Sequence, residues 1–169
     1  MSKAIIIYRS KTGFSQRYAG WLSEELGCRA VPFSERGRLQ LTDYDPVILA
    51  GGLYAGQMAG LKWLARQLPH LAGRRVAALA VGCAPMDNPG LPESMDKLFG
   101  PLPQVRGFYC QGGLDYERMG AVDRAMMAAL RAFLKGKKGS EEMLAGISQS
   151  FDGAKRENLA EILAWVRGE

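Results

Sequence analysis

The chain has 169 residues, 47% of them hydrophobic, which fits one domain spanning 1–169 with a full-sized core. Its formal charge of +5 comes from scattered lysines and arginines without interleaved aromatics, so a nucleic-acid binder is not expected. The chain lacks the ~18-residue apolar run of a membrane span, and Met1-Ser2-Lys3 leads directly into a strand-like run rather than a signal peptide, so a cytoplasmic protein is expected.

Ala4-Ile5-Ile6-Ile7-Tyr8 is continuously apolar and β-rich, the pattern of a parallel strand buried on both faces. Ser10-Lys11-Thr12-Gly13-Phe14-Ser15 follows as a tight loop and opens a helix expected over 16–26. Tyr18, Leu22 and Leu26 give that helix its inward stripe, and Gly27 ends it. Arg29 to Phe33 reads as a short edge strand because of its proline and flanking charges. Ser34 to Thr42 reads as a short helix or loop, and Asp43-Tyr44-Asp45-Pro46 as a turn. Val47-Ile48-Leu49-Ala50 is the next buried strand, running into the loop Gly51-Gly52-Leu53-Tyr54-Ala55-Gly56.

From Gly60 a helix carries Leu61, Leu64, Leu68 and Leu71, with His70 near its end as a surface or cap residue. Val76 to Val81 is another buried strand, followed by the breaker-rich loop Gly82 to Gly90. A helix is expected over Leu91 to Phe99 and a strand over Val105 to Cys110, with Gln111 to Tyr116 as its exit loop. Met119, Val122, Met126, Ala129 and Phe133 recur at helical spacing, and the methionines read as core filling. Lys135-Gly136-Lys137-Lys138 reads as a solvated turn, and Glu141 to Leu144 as a loop, short helix or flap. Ser148 to Gly153 reads as a turn, and Leu159, Ile162, Leu163 and Val166 as the apolar side of a last helix. Five strands alternating with helices at crossover length predict one doubly wound α/β domain, with helices on both faces of a parallel sheet.

Ligands of an open parallel sheet sit beyond the carboxyl ends of its strands. The four unusual loops all follow strands, so they converge on one edge. Ser10, Thr12 and Ser15 supply hydroxyls, Gly13 a positive φ or close approach, and the helix start several N–H groups. Together these suit a phosphate, although one hydroxyl alone would serve as a plain helix cap. Lys11 points either to that anion or to solvent. Neither a Walker GxxxxGK[ST] pattern nor GxGxxG is present, which argues against nucleoside triphosphate and dinucleotide sites. Tyr54 is placed either to stack on a flat ligand held by the glycines beside it or to sit in the core. Cys28 and Cys110 read as buried thiols. Cys83 lacks a base beside it, so cysteine catalysis is not expected, and one histidine with three dispersed cysteines predicts no metal site. Asp87 reads as an acid, a base or a turn residue.

These features together make the chain resemble the flavodoxin-like family. Ser10-Lys11-Thr12-Gly13-Phe14-Ser15 resembles its phosphate loop, while Gly51 to Gly56 and Gly82-Cys83-Ala84-Pro85 stand where its two flavin-flanking loops lie. The resemblance implies a three-layer α/β/α fold of five parallel strands in the order 2-1-3-4-5, holding non-covalent FMN. It implies phosphate binding by Ser10, Thr12, Gly13 and Ser15, with N–H groups from Lys11 and Phe14. Gly52, Leu53, Tyr54, Ala55 and Gly56, with Gly82, Cys83 and Ala84, would border the ring system, Tyr54 covering one face. The basic charge departs from acidic electron-carrier flavodoxins. The stretches Gln111 to Tyr116, Asp123 to Met127 and Ser150 to Asp152 look more like flavodoxin-domain proteins related to menaquinone-dependent protoporphyrinogen oxidase. That likeness implies an FMN-dependent oxidoreductase acting on a porphyrinogen or quinone, at the inner membrane face as a peripheral contact. The alternatives are a basic electron carrier serving a redox partner protein and a non-catalytic flavin-binding module.

Overall fold

The computed structural model describes residues 3–169. In chain order its elements are β1 (Lys3–Arg9), α1 (Phe14–Leu26), β2 (Arg29–Pro32), β3 (Tyr44–Tyr54), β4 (Gln57–Met58), α2 (Leu61–Gln67), β5 (Val76–Gly82), α3 (Leu91–Phe99), β6 (Val105–Gln111), β7 (Gly113–Leu114), α4 (Ala121–Lys135), α5 (Glu141–Ile147), β8 (Phe151–Asp152) and α6 (Ala160–Arg167). Five parallel strands pair in the order β2-β1-β3-β5-β6, with β4 antiparallel on β3. Counted as five strands this is 2-1-3-4-5, the doubly wound flavodoxin-like arrangement that the resemblance implies.

The continuous apolar runs are explained by two buried faces. Alternation along each strand sends Ile5, Ile7, Val47, Leu49, Ala78 and Tyr109 to one side, against Leu61, Leu64 and Leu68 of the α2 region and Phe99 of α3. Ile6, Ile48, Ala50, Leu79, Phe108 and Cys110 go to the other side, against Tyr18 and Leu22 of α1 and Leu159 and Ile162 at the start of α6. Two helical regions per face close the sheet. α1 stops at Gly27, whose φ of 59° and N–H to the Ser23 carbonyl form a left-handed cap. Cys110 is buried as expected, whereas Cys28 is only partly so.

Three local expectations change. Residues 43–46 are not a free turn: β3 begins at Tyr44, and the Asp45 carboxylate accepts the Arg75 N–H at 3.0 Å, fastening β3 to the entry of β5. The Gly51–Gly56 stretch remains strand to Tyr54 and turns at Ala55–Gly56 into β4, because the Ala59 N–H donates to the Gly52 carbonyl at 2.9 Å.

The third change is the largest. The apolar stripe of α4 is not core: Val122, Met126, Leu130 and Phe133 are 73%, 53%, 41% and 59% exposed, and Leu134 is the helix's buried residue. Both faces of the sheet are already covered by α1, α2, α3 and α6, so α4 packs against α5 instead. The pair forms an excursion between β6 and α6, closed at its base by the short β7–β8 ladder.

Candidate functional site at the carboxyl edge of the sheet

β1, β3, β5 and β6 end side by side, and the segments that follow them border a narrow cleft open to solvent. Ser10, Lys11, Thr12, Phe14 and Ser15 line one wall, Gly52, Leu53 and Tyr54 a second, and Val81, Gly82 and Cys83 the floor. Gly113, Leu114 and Met119 complete it from the far side.

The first wall has the chemistry of an anion seat. Ser10 Oγ accepts the Gly13 N–H at 3.0 Å, which curls the loop. Gly13 stands at φ 99°, a left-handed conformation that an L side chain resists, and it begins α1 without a side-chain cap. The first turn of α1 contains no acidic residue, so its free N–H groups keep their positive end. Ser15 is 3% exposed and lines the cleft. Thr12 lines the cleft beside it, and neither hydroxyl caps α1. A plain cap would have engaged one of them.

Lys11 is exposed and reaches across the cleft mouth. Its Nζ is 3.2 Å from Asp123 of α4 and 4.8 Å from the centre of the Tyr54 ring. Tyr54 is not core: at 38% exposure its ring lies back over Gly52, where a Cβ would stand 2.9 Å from Cε2. Burial, then the nearby Asp123 and Cys83, push the Tyr54 phenol above its usual range. Cys83 donates its thiol to the Gly113 carbonyl at 3.5 Å, and burial pushes that thiol up to about 11. It therefore stays protonated and is no nucleophile. His70 is exposed in the turn after α2, away from the strand ends, and Asp87 is exposed in the loop after β5.

Of the residues expected here, Gly13, Ala55, Gly56 and Ala84 do not line the cleft. Gly13 shapes the loop behind it, Ala55 and Gly56 form the exposed tip of the β3–β4 hairpin, and the Ala84 carbonyl accepts the Tyr109 hydroxyl at 2.8 Å. Gly113 and Leu114 belong to the loop from Gln111 to Tyr116 expected at this edge, whereas Met119, expected as core filling and not as part of the site, also lines the cleft. The signal for this wall lies in Gly112-Gly113: a Cβ on Gly112 would stand 3.0 Å from Phe14 Cβ, and one on Gly113 would stand 2.9 Å from Phe14 Cζ. Only this pair of small residues lets the exit of β6 close over the start of α1.

The arrangement presents hydroxyls and free N–H groups at the start of α1 and an aromatic ring, Tyr54, across the cleft from the side of Gly113, Leu114 and Met119. No curated protein matches the chain in sequence. Among solved structures, the Trp repressor binding protein from Bacillus subtilis is similar at 17% identity, over 72% of this chain and 89% of that one, with a TM-score of 0.47. A protein of Bacteroides eggerthii described as a flavoprotein is similar at 16% identity, over 76% and 98%, with a TM-score of 0.49. A flavodoxin from the domain Archaea is similar at 15% identity, over 65% and 85%, with a TM-score of 0.40. The family model described as "Flavodoxin domain" matches residues 5–141, most of the chain, and the protein belongs to the flavodoxin domain family.

Proposed function

We propose that the cleft binds FMN non-covalently and that the protein is an FMN-dependent oxidoreductase whose substrate is a porphyrinogen or a quinone. The observation that carries the cofactor is the pair of cleft-lining hydroxyls, Thr12 and Ser15, at the start of α1, which no side chain caps, beside the Tyr54 wall. A phosphate would satisfy both hydroxyls and the free N–H groups together. The donor set therefore fits FMN, with Ser10 holding the loop in shape. Tyr54 and Leu53 would cover the ring on one side, and Cys83, Leu114 and Met119 would border it on the other. When bound, FMN supplies the redox chemistry; the protein orients it and excludes water from one side.

The side chains lining the cleft include no carboxylate and no histidine. Tyr54 and Cys83 both hold their protons more tightly than usual. This favours chemistry that needs no protein acid or base, and it supports a second reading, an electron carrier for a redox partner protein. The exposed α4 stripe with Lys135, Lys137 and Lys138 beyond it supports a peripheral contact with an anionic membrane face. Co-sedimentation with vesicles containing phosphatidylserine tests that contact, and Met126→Glu with Phe133→Glu should abolish it.

The deciding experiment is an absorbance spectrum of the purified protein, then reconstitution with FMN and with riboflavin. Thr12→Val should loosen FMN by about tenfold through a lost charge-assisted hydrogen bond and leave riboflavin unchanged. Equal losses for the two ligands would remove Thr12 from the phosphate site. Failure to bind either would remove the flavin. Rapid turnover of a porphyrinogen or quinone separates the enzyme from the carrier.

A further inference from the structure

The segment between β7 and α4 places a second cation on the phosphate loop. Arg118 Nη1 is 3.4 Å from the Thr12 carbonyl and stands 2.6 Å from where a Cβ on Gly13 would lie. Gly13 is thus a glycine twice over, for its positive φ and for the guanidinium seated against it. The placement is built rather than incidental. Asp115 Oδ1 accepts the N–H groups of Glu117 and Arg118 at 3.1 and 3.2 Å, folding the chain into a tight turn. Asp115 Oδ2 lies 3.6 Å from Arg118 Nε. Tyr116 is tied down beside it: its N–H donates to Ser150 Oγ at 2.9 Å, and its hydroxyl accepts Arg131 Nη1 at 2.7 Å. The same segment carries Met119 into the cleft and, through Asp123, holds Lys11 at the mouth.

A guanidinium has five N–H donors in a rigid fork. One is taken by Thr12 and one side of the fork faces Asp115, which leaves donors and charge for an anion at the start of α1. We propose that Arg118 is a phosphate-recognition residue whose charge makes the cleft select the phosphorylated flavin over the unphosphorylated one. This rests on the flavin reading of the cleft. The carboxylates of Asp115 and Asp123 lie against Arg118 and Lys11, and a dianionic phosphate would compete with them for those cations.

Dissociation constants for FMN and riboflavin, read by flavin fluorescence quenching, test it in the wild type, Arg118→Ala and Arg118→Lys. Arg118→Ala should weaken FMN about tenfold at low salt and move riboflavin less than about twofold. The FMN loss should shrink as ionic strength rises, and Arg118→Lys should recover most of it. Equal losses for FMN and riboflavin would make Arg118 a structural brace only and overturn the proposal, as would unchanged FMN affinity. A separate arm does not depend on flavin. Inorganic phosphate should shift the amide NMR signals of Gly13, Phe14 and Ser15 in the wild type and much less in Arg118→Ala. Equal shifts in both would overturn the role of Arg118, while a wild type that binds phosphate but neither flavin would overturn the flavin and leave the cation's role standing.

Discussion

Tyr18→Phe removes one oxygen from the centre of the molecule. Tyr18 is fully buried on α1, and its hydroxyl joins three separate segments. It donates to the Gln111 carbonyl at 2.5 Å and accepts the Lys155 N–H at 3.2 Å and Asn158 Nδ2 at 2.9 Å. Phenylalanine fills the same space but leaves an acceptor at the end of β6 and two donors before α6 without it. At about 1 kcal/mol for each partner left unsatisfied, the loss is about 3 kcal/mol. That is a large fraction of the stability of an ordinary domain, and it corresponds to a fall in Tm of about 6–12 °C at this chain length. Urea denaturation should show the midpoint falling with the slope unchanged, since the buried apolar surface is the same. Because Gln111 leads into the Gly112-Gly113 wall, the variant should also bind FMN less tightly, with riboflavin falling in parallel. A stability change below about 0.5 kcal/mol would refute the reasoning, because it would mean that water or neighbouring groups replace all three bonds.

Gly13→Ala should cost about 1–2 kcal/mol from the left-handed φ of 99° and push Arg118 off the loop, so that thermal stability and FMN selectivity fall together. Gly107→Ala should cost about 1–3 kcal/mol, because the new methyl would lie 2.1 Å from Phe99 Cδ2; Phe99→Leu in the same chain should recover part of the loss in a denaturant titration. Burial raises the Cys83 thiol from its usual 9.0 to about 11, so the fold favours the protonated form. That contribution is fully present below pH 9 and is lost as the pH rises from 9 through about 11; Cys83→Ala should flatten the alkaline fall of the urea midpoint across that window.

The sheet was legible because burial on both faces leaves a strand no polar positions, so Ile5 to Ile7, Val47 to Ala50 and Val76 to Val81 announce themselves. The tight loop between β1 and α1 was legible because its hydroxyls and glycine are contiguous in sequence. Met119 in the cleft was not, since it is an ordinary residue that matters only through what folds beside it. Nor was the place of Arg118, since its seat against Gly13 depends on the Asp115 turn, more than a hundred residues from the loop it touches.

The misread helix follows from what periodicity measures. Spacing of three and four at Met119, Val122, Met126, Ala129 and Phe133 reports that the helix has an apolar face, and it says nothing of what covers that face. A five-stranded sheet offers two faces, and here α1 with α6 fills one and α2 with α3 fills the other. A further helix inserted between β6 and α6 has no sheet left to bury against. Its apolar face stays exposed, while Asp123 ties it back to Lys11 at the cleft mouth. The exposed face and the segment that touches the loop before α1 are thus one continuous piece of chain, from Asp115 to Lys135. FMN should therefore change the proteolytic susceptibility of α4, and an Asp123→Asn variant, which weakens the tie to Lys11, should reduce that difference.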